Sequence, residues 1–247
     1  MKKLLYLLTL TLILLTSCKK GAITDCFYST GNISKEVRSI ENFNSILLKD
    51  NVSLILIKSE NNSIKVEAGS NLIGKIKTDV NENGVLVITN DNSCNWIRSY
   101  DSPINVYLNY VDIDSIEYRS IGNISTFDTL ATDTLWLKVK EGAGQINAVL
   151  NVHRLYCALH YGTADIVLSG ASGLSYVYSA SFGLIDMIDL ESNIVFVNNR
   201  SSNDIYLTAK TQLGATIENI GNIYYAGNPP TVNLDKTGSG ELIKIED

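Results

Sequence analysis

From Ile116 to Ile245 the chain repeats itself about every 20 residues. Each row carries a small residue, a second residue that is polar in all rows but one, and then Ile or Leu. The triplets are Gly122-Asn123-Ile124, Gly144-Gln145-Ile146, Ala164-Asp165-Ile166, Gly183-Leu184-Ile185, Asn203-Asp204-Ile205, Gly221-Asn222-Ile223 and Gly240-Glu241-Leu242. Their third residues are 22, 20, 19, 20, 18 and 19 positions apart. A period this steady over seven rows is the signature of one small unit stacked on itself. A second apolar column runs Ile116, Leu135, Leu155, Leu174, Ile194, Leu213 and Val232. Two residues further on stand Tyr118, Leu137, Cys157, Tyr176, Phe196, Ala215 and Leu234, on the same face if the segment is a strand. The first column precedes the second by 8 to 11 residues, so each row reads as two short strands and two corners.

One such coil cannot bury its own apolar side. Stacking coils at about 4.8 Å closes a core and pairs each strand with the next row. The Ile column then forms an interior ladder, with Thr126, Ala148, Leu168, Met187, Leu207 and Tyr225 beside it. The mostly glycine position two before each Ile predicts a corner with positive φ, which Ala164 breaks. A propeller blade needs about 40 residues, and a leucine-rich repeat has its own Leu and Asn spacing. The expected fold is all-β, a right-handed parallel β-helix with coils of about 20 residues. Residues 32–110 are less regular and are expected to form an N-terminal β cap, continuous with regular coils over 111–247. Within that cap, Asn81 to Gly84 ends in Asn-Gly, a hairpin signal, and residues 70–76 read as one helical turn. Asn228-Pro229-Pro230 and the charged Lys244, Glu246 and Asp247 are expected to blunt the far end.

The N-terminus reads as an address. Lys2 and Lys3 precede an apolar run from Leu4 to Leu15, too short for a permanent membrane span. Leu15-Thr16-Ser17-Cys18 resembles a bacterial lipobox, which implies cleavage before Cys18 and acylation of its thiol. Residues 1–17 would be the signal peptide and residues 18–31 a tether. Several acyl chains anchor firmly where one is marginal. Lys19 and Lys20 follow without an Asp, which points to the outer membrane by resemblance to known sorting rules. The alternative is an ordinary secretory signal with an incidental cysteine. The whole chain has a formal charge of −6, and no basic run gives it a nucleic-acid footprint. Cys26 and Cys94 lie in polar, turn-rich stretches and are candidates for a disulfide in a compartment that permits one, free thiols being the alternative. Cys157 alternates in phase with Leu155 and Leu159 and reads as a small buried hydrophobe.

Arg38-Ser39-Ile40-Glu41-Asn42-Phe43-Asn44-Ser45-Ile46 resembles the opening of the head GIN domain family of auto-transporter adhesins. Gly144-Gln145-Ile146-Asn147 is the fullest match to the Gly, Ile and Asn that name the family. Ile223 to Pro229 and Gly238-Ser239-Gly240 are similar to its usual ending. The resemblance spans roughly residues 36–245 and implies a secreted or lipid-anchored envelope protein with a β-helical fold.

Residues for chemistry are few. His153 and His160 flank one strand, and no third metal ligand accompanies them. No phosphate loop or nucleophile motif occurs, so neither a metal nor a cofactor is expected. Asp165 and Asp204 share an outward column two rows apart, roughly 9.6 Å from the strand spacing. Asp186 and Asp189 lie on the row between. Glycoside hydrolysis needs two carboxylates about 5 to 9.5 Å apart, so this cluster suits sugar chemistry or a solvated acidic face. Trp136 and Tyr156 follow the second column on consecutive rows, and Tyr206 and Tyr224 follow the first. Such pairs suit stacking on a glycan or an envelope protein, or simple cross-strand packing. The leading reading is a non-enzymatic envelope lipoprotein with a flat binding or structural surface. The alternatives are a β-helical carbohydrate-active enzyme and a scaffold that assembles end to end.

Overall fold

The computed structural model describes residues 29–93 and 103–246. Cys18, Cys26 and Cys94 lie outside the described residues. The chain forms a β-solenoid of about six turns with coils of roughly 20 residues. Its first strands are β1 (Ile33–Arg38), β2 (Ser45–Asp50), β3 (Val52–Lys58), β4 (Ser63–Gly69), β5 (Ile76–Val80), β6 (Val85–Asn90), β7 (Ile104–Tyr110), β8 (Ser115–Ser120) and β9 (Ile124–Thr126). The long strands β10 (Leu130–Gly142), β11 (Gln145–Leu159), β12 (Asp165–Ser179), β13 (Ile185–Asn199) and β14 (Ile205–Ile217) follow. The chain closes with β15 (Ile223–Ala226), β16 (Thr231–Lys236) and β17 (Leu242–Lys244). In the middle rows, one long strand turns the corner without a break where two short strands were expected.

The Ile ladder forms in full register. Ile124, Ile146, Ile166, Ile185, Ile205, Ile223 and Leu242 are successive parallel partners. Leu54 extends it by one row through its pairing with Ile124. The six isoleucines are fully buried, and burying one stabilises the fold by about 1.5–3 kcal/mol.

The second column is corrected by one residue in two rows. Cys157 pairs with Val177 and Val177 with Val197, so Leu174, Tyr176, Ile194 and Phe196 face outward. Ser175 takes the interior place that Leu174 was expected to fill. It is tolerated there because its hydroxyl lies 3.1 Å from Ser172 Oγ and 2.9 Å from Ser192 Oγ. Buried hydroxyls that satisfy one another remove most of the burial cost. Ile116 likewise pairs with Leu137, while Leu135 pairs with Leu155. Cys157 is buried, and burial pushes its thiol up to about 12.

The corner glycines are present for a different reason from the one expected. The positive-φ glycines are Gly31, Gly84, Gly142, Gly162, Gly170 and Gly227, and none is a triplet glycine. A Cβ at Gly144 would fall 2.2 Å from the Gly122 carbonyl oxygen, and one at Gly221 2.1 Å from that of Asn203. The rows approach too closely at this corner for a side chain. Tyr118 pins the same corner. Its buried hydroxyl donates to the Gly122 carbonyl at 2.6 Å and accepts the Gly144 N–H at 3.0 Å.

The N-terminal region is woven into the solenoid. The β2–β3 coil lies between two others, with β8 and β9 on one side and β6 and β7 on the other. β4 then pairs antiparallel with β7, β1 with β4, and β5 with β6, closing that end. The hairpin joining β5 and β6 turns through Asn81 to Gly84, and Ile73–Lys75 is a single 3₁₀ turn. At the far end, Asp247 lies outside the described residues. β16 pairs with β14, and all six of its residues are exposed, including Val232 and Leu234.

Gly221→Ala should lower stability to urea by about 1–3 kcal/mol, the usual cost of forcing atoms into a packed site. Gly74→Ala should not, because a Cβ there meets nothing within 4 Å. Burial holds the Tyr118 and Tyr110 hydroxyls up at about 12. Their stabilisation is therefore complete below the ordinary tyrosine value near 10 and is lost as pH rises through about 12. Melting followed between pH 9 and 12 should show that decline, and Tyr118→Phe should make it shallower.

Candidate binding face

In a parallel stack, each outward residue lies directly over its equivalent in the next row. Trp136, Tyr156, Tyr176 and Phe196 are such equivalents on β10, β11, β12 and β13. Their rings form a ladder. Centroids are 3.8 Å apart for Trp136 and Tyr156, 5.1 Å for Tyr156 and Tyr176, and 5.4 Å for Tyr176 and Phe196. The first two pairs are parallel within 7° and the third within 21°. The ladder is closed at both ends. Lys138 Nζ lies over the Trp136 ring, 5.0 Å from its centroid. Phe196 leans on Gly214, where a Cβ would sit 2.7 Å from a ring carbon.

Beside the ladder runs a groove of about 570 Å³. Its other lining includes Ala158, Tyr178, Asn198 and Thr216, with Lys138 and His160 at one end and Asp235 at the other. His160 packs at a tilt on Tyr178, with centroids 5.3 Å apart. Burial, and then the charges of Lys140 and Lys138, hold its imidazole below the usual histidine value. Short side chains at Ala158 and Gly214 and long rings beside them produce the trough.

The carboxylates serve the corners between rows. Asp165 Oδ1 accepts the Leu184 N–H at 2.9 Å, and Asp204 Oδ1 accepts the Asn222 N–H at 2.8 Å. Asn123 and Asn222 make the same bond to the next row, with Gln145 and Glu241 as donors. Each of these side chains therefore caps the corner above it. Asp186 stands in a different column, paired with Tyr206, and its Oδ1 accepts the Ile188 N–H at 3.1 Å. Tyr206 and Tyr224 stack at 4.9 Å. Burial, and then Asp204, raises the Tyr206 hydroxyl above its ordinary value. Among the described residues, no group of three His, Cys, Asp or Glu is placed to hold a metal ion.

The family described as "Putative auto-transporter adhesin, head GIN domain" matches residues 42–229. This chain belongs to the head GIN domain family. Solved structures agree with the head GIN assignment in fold. A "putative adhesin" from Bacteroides fragilis superposes with a TM-score of 0.80 at 20% identity, covering 87% of this chain and 97% of its own. A "putative lipid binding protein" from Parabacteroides distasonis gives 0.70 at 18% identity, covering 88% and 98%. A "putative adhesin" from Parabacteroides merdae gives 0.65 at 17% identity, covering 88% and 98%. Identities this low speak to the fold alone. No curated protein matches the chain.

In this head GIN domain the sequence located the Trp136–Tyr156 and Tyr206–Tyr224 pairs but not the full ladder. The apolar spacing puts Tyr176 and Phe196 inside, because the leucine and isoleucine two residues earlier mimic interior positions. Counting the alternation back from Val177 and Val197 puts both rings outside.

Asp165→Asn should leave stability unchanged, since an amide oxygen can accept the same N–H. Asp165→Ala should cost about 0.5–1.5 kcal/mol for the lost bond. Urea titration of the two variants separates this capping role from one that needs charge.

Proposed function

We propose that this protein is a non-enzymatic, lipid-anchored protein of the cell envelope that binds an extended, mainly apolar chain along the Trp136–Phe196 groove. The observation that carries this reading is the closed ladder. Each ring turns its faces to its neighbours, to Lys138 or to Gly214. A sugar stacks on an open ring face, whereas a trough walled by ring edges suits an acyl chain or a similar strip of hydrocarbon. The family's adhesin description favours a binding role over catalysis. One structural neighbour described as a lipid-binding protein agrees in kind with the groove. The capping bonds of Asp165 and Asp204 weigh against their use as a catalytic pair.

The anchor rests on the lipobox-like Leu15-Thr16-Ser17-Cys18. No helix among the described residues is long and apolar enough to cross a membrane. Cys18 would hold the domain on the outer membrane, with a lipid or an envelope component as partner.

A fluorescent fatty-acyl probe should bind the anchor-free chain. Ala158→Arg, which fills the groove floor and leaves the rings alone, should weaken binding by about tenfold or more. Binding to a glycan panel with no acyl affinity would overturn the ligand class. Cys18→Ser should release the protein from membranes in cells, and continued membrane retention would count against the anchor.

A further inference from the structure

A second apolar feature runs along the corner of the solenoid that follows the groove-lining strand ends at His160, Tyr178 and Thr216. The loops after β8, β11, β12 and β14 carry Ile121, Tyr161, Phe182 and Ile220 at their tips. Those side chains are 54%, 69%, 68% and 61% exposed. Ala143 and Ser202 fill the intervening loops. The loops are bonded into a continuous rail. The Ala143 N–H donates to Ser120 O at 3.1 Å, the Thr163 N–H to Gly142 O at 2.8 Å and the Gly221 N–H to Ser201 O at 3.2 Å. Ser181 Oγ donates to Gly162 O at 2.6 Å. From the first tip to the last is five rows, or about 24 Å at the strand spacing.

The chain enters the fold on this same edge. Ser29 O accepts Asn71 Nδ2, and β1 begins with Ile33 paired to Gly69. Two residues before Gly69, Glu67 pairs with Asn105 near the start of β7; Ile104 pairs with Val52 at the start of β3, and Gly122 lies against Val52 O. Ile33 is itself 54% exposed. Ser29, the first described residue, therefore lies on the edge that bears the apolar tips. If Cys18 is acylated, residues 19–28 reach at most about 35 Å fully extended.

We propose that this corner rests on a phospholipid surface, with Ile121, Tyr161, Phe182 and Ile220 in the boundary between headgroups and acyl chains. A row of convex tips separated by small residues fits a soft interface better than a packed protein surface, which needs close complementarity. The contact is apolar in character. The flanking Arg119 is paired with Glu117 and Glu141, and Arg200 with Glu218, so neither offers free positive charge to anionic lipid. The proximity argument rests on the Cys18 anchor, but the apolar edge itself does not.

The test uses the anchor-free chain, residues 19–247, and phosphatidylcholine vesicles in a flotation assay. The chain should float with neutral vesicles, and binding should persist in high salt. Replacing the four tip residues together by serine should weaken partitioning at least about tenfold. These tips are solvent-exposed, so the melting temperature should stay unchanged, which separates lost binding from lost folding. No flotation at millimolar lipid would overturn the proposal. So would equal binding by the fourfold variant, or binding that needs anionic lipid and vanishes in salt. Ala158→Arg should float normally, which keeps groove binding and edge binding apart. The Cys18→Ser release assay in cells reports on the anchor independently.

Discussion

Hydrogen bonding between rows about 4.8 Å apart makes every position in this protein a column. Pairing Ile124 to Ile146 fixes the neighbours of the adjoining residues, and register shifts at the corners reset the count between the two columns. The core follows, because isoleucine stacks on isoleucine. So does the outer surface: aromatic residues that would be scattered singles on another fold become a ladder, and Asp and Asn become repeated caps. The tight glycine corner has the same origin, since a Cβ at Gly221 would meet the carbonyl of the row beneath.

The columns explain what could be read in the sequence. The Ile ladder was legible because nothing competes with a buried Ile at constant spacing. The second column failed at Ser175, where three hydroxyls satisfy one another and let a polar residue point inward. An apolar count follows residue type, and Leu174 supplied the right type one position too early. The corner glycines were correctly found and wrongly explained. Positive φ and close approach leave the same mark in a sequence, and only the carbonyl opposite Gly144 distinguishes them. The β2–β3 insertion left no mark at all, because long-range pairing order is not written in local periodicity.

The two outer faces differ in what they can offer. On one, Asp165, Asp204 and Asn222 spend an oxygen on the neighbouring row, so their conspicuous column is largely committed to holding corners together. On the other, short residues at Ala158 and Gly214 leave a trough beside rings that already satisfy each other. Polar residues that look chemical thus serve structure, while the open trough comes from side chains that are small.

The clasp around β2–β3 also bears on how the protein is made. A regular solenoid can grow one row at a time, each new coil docking on the last. Here the first coil, finished by Lys58, has both neighbours still to come, from β6–β7 and from β8–β9. An emerging chain therefore cannot complete its first rung until residues up to Thr126 have arrived. The regular coils behind them have no such delay.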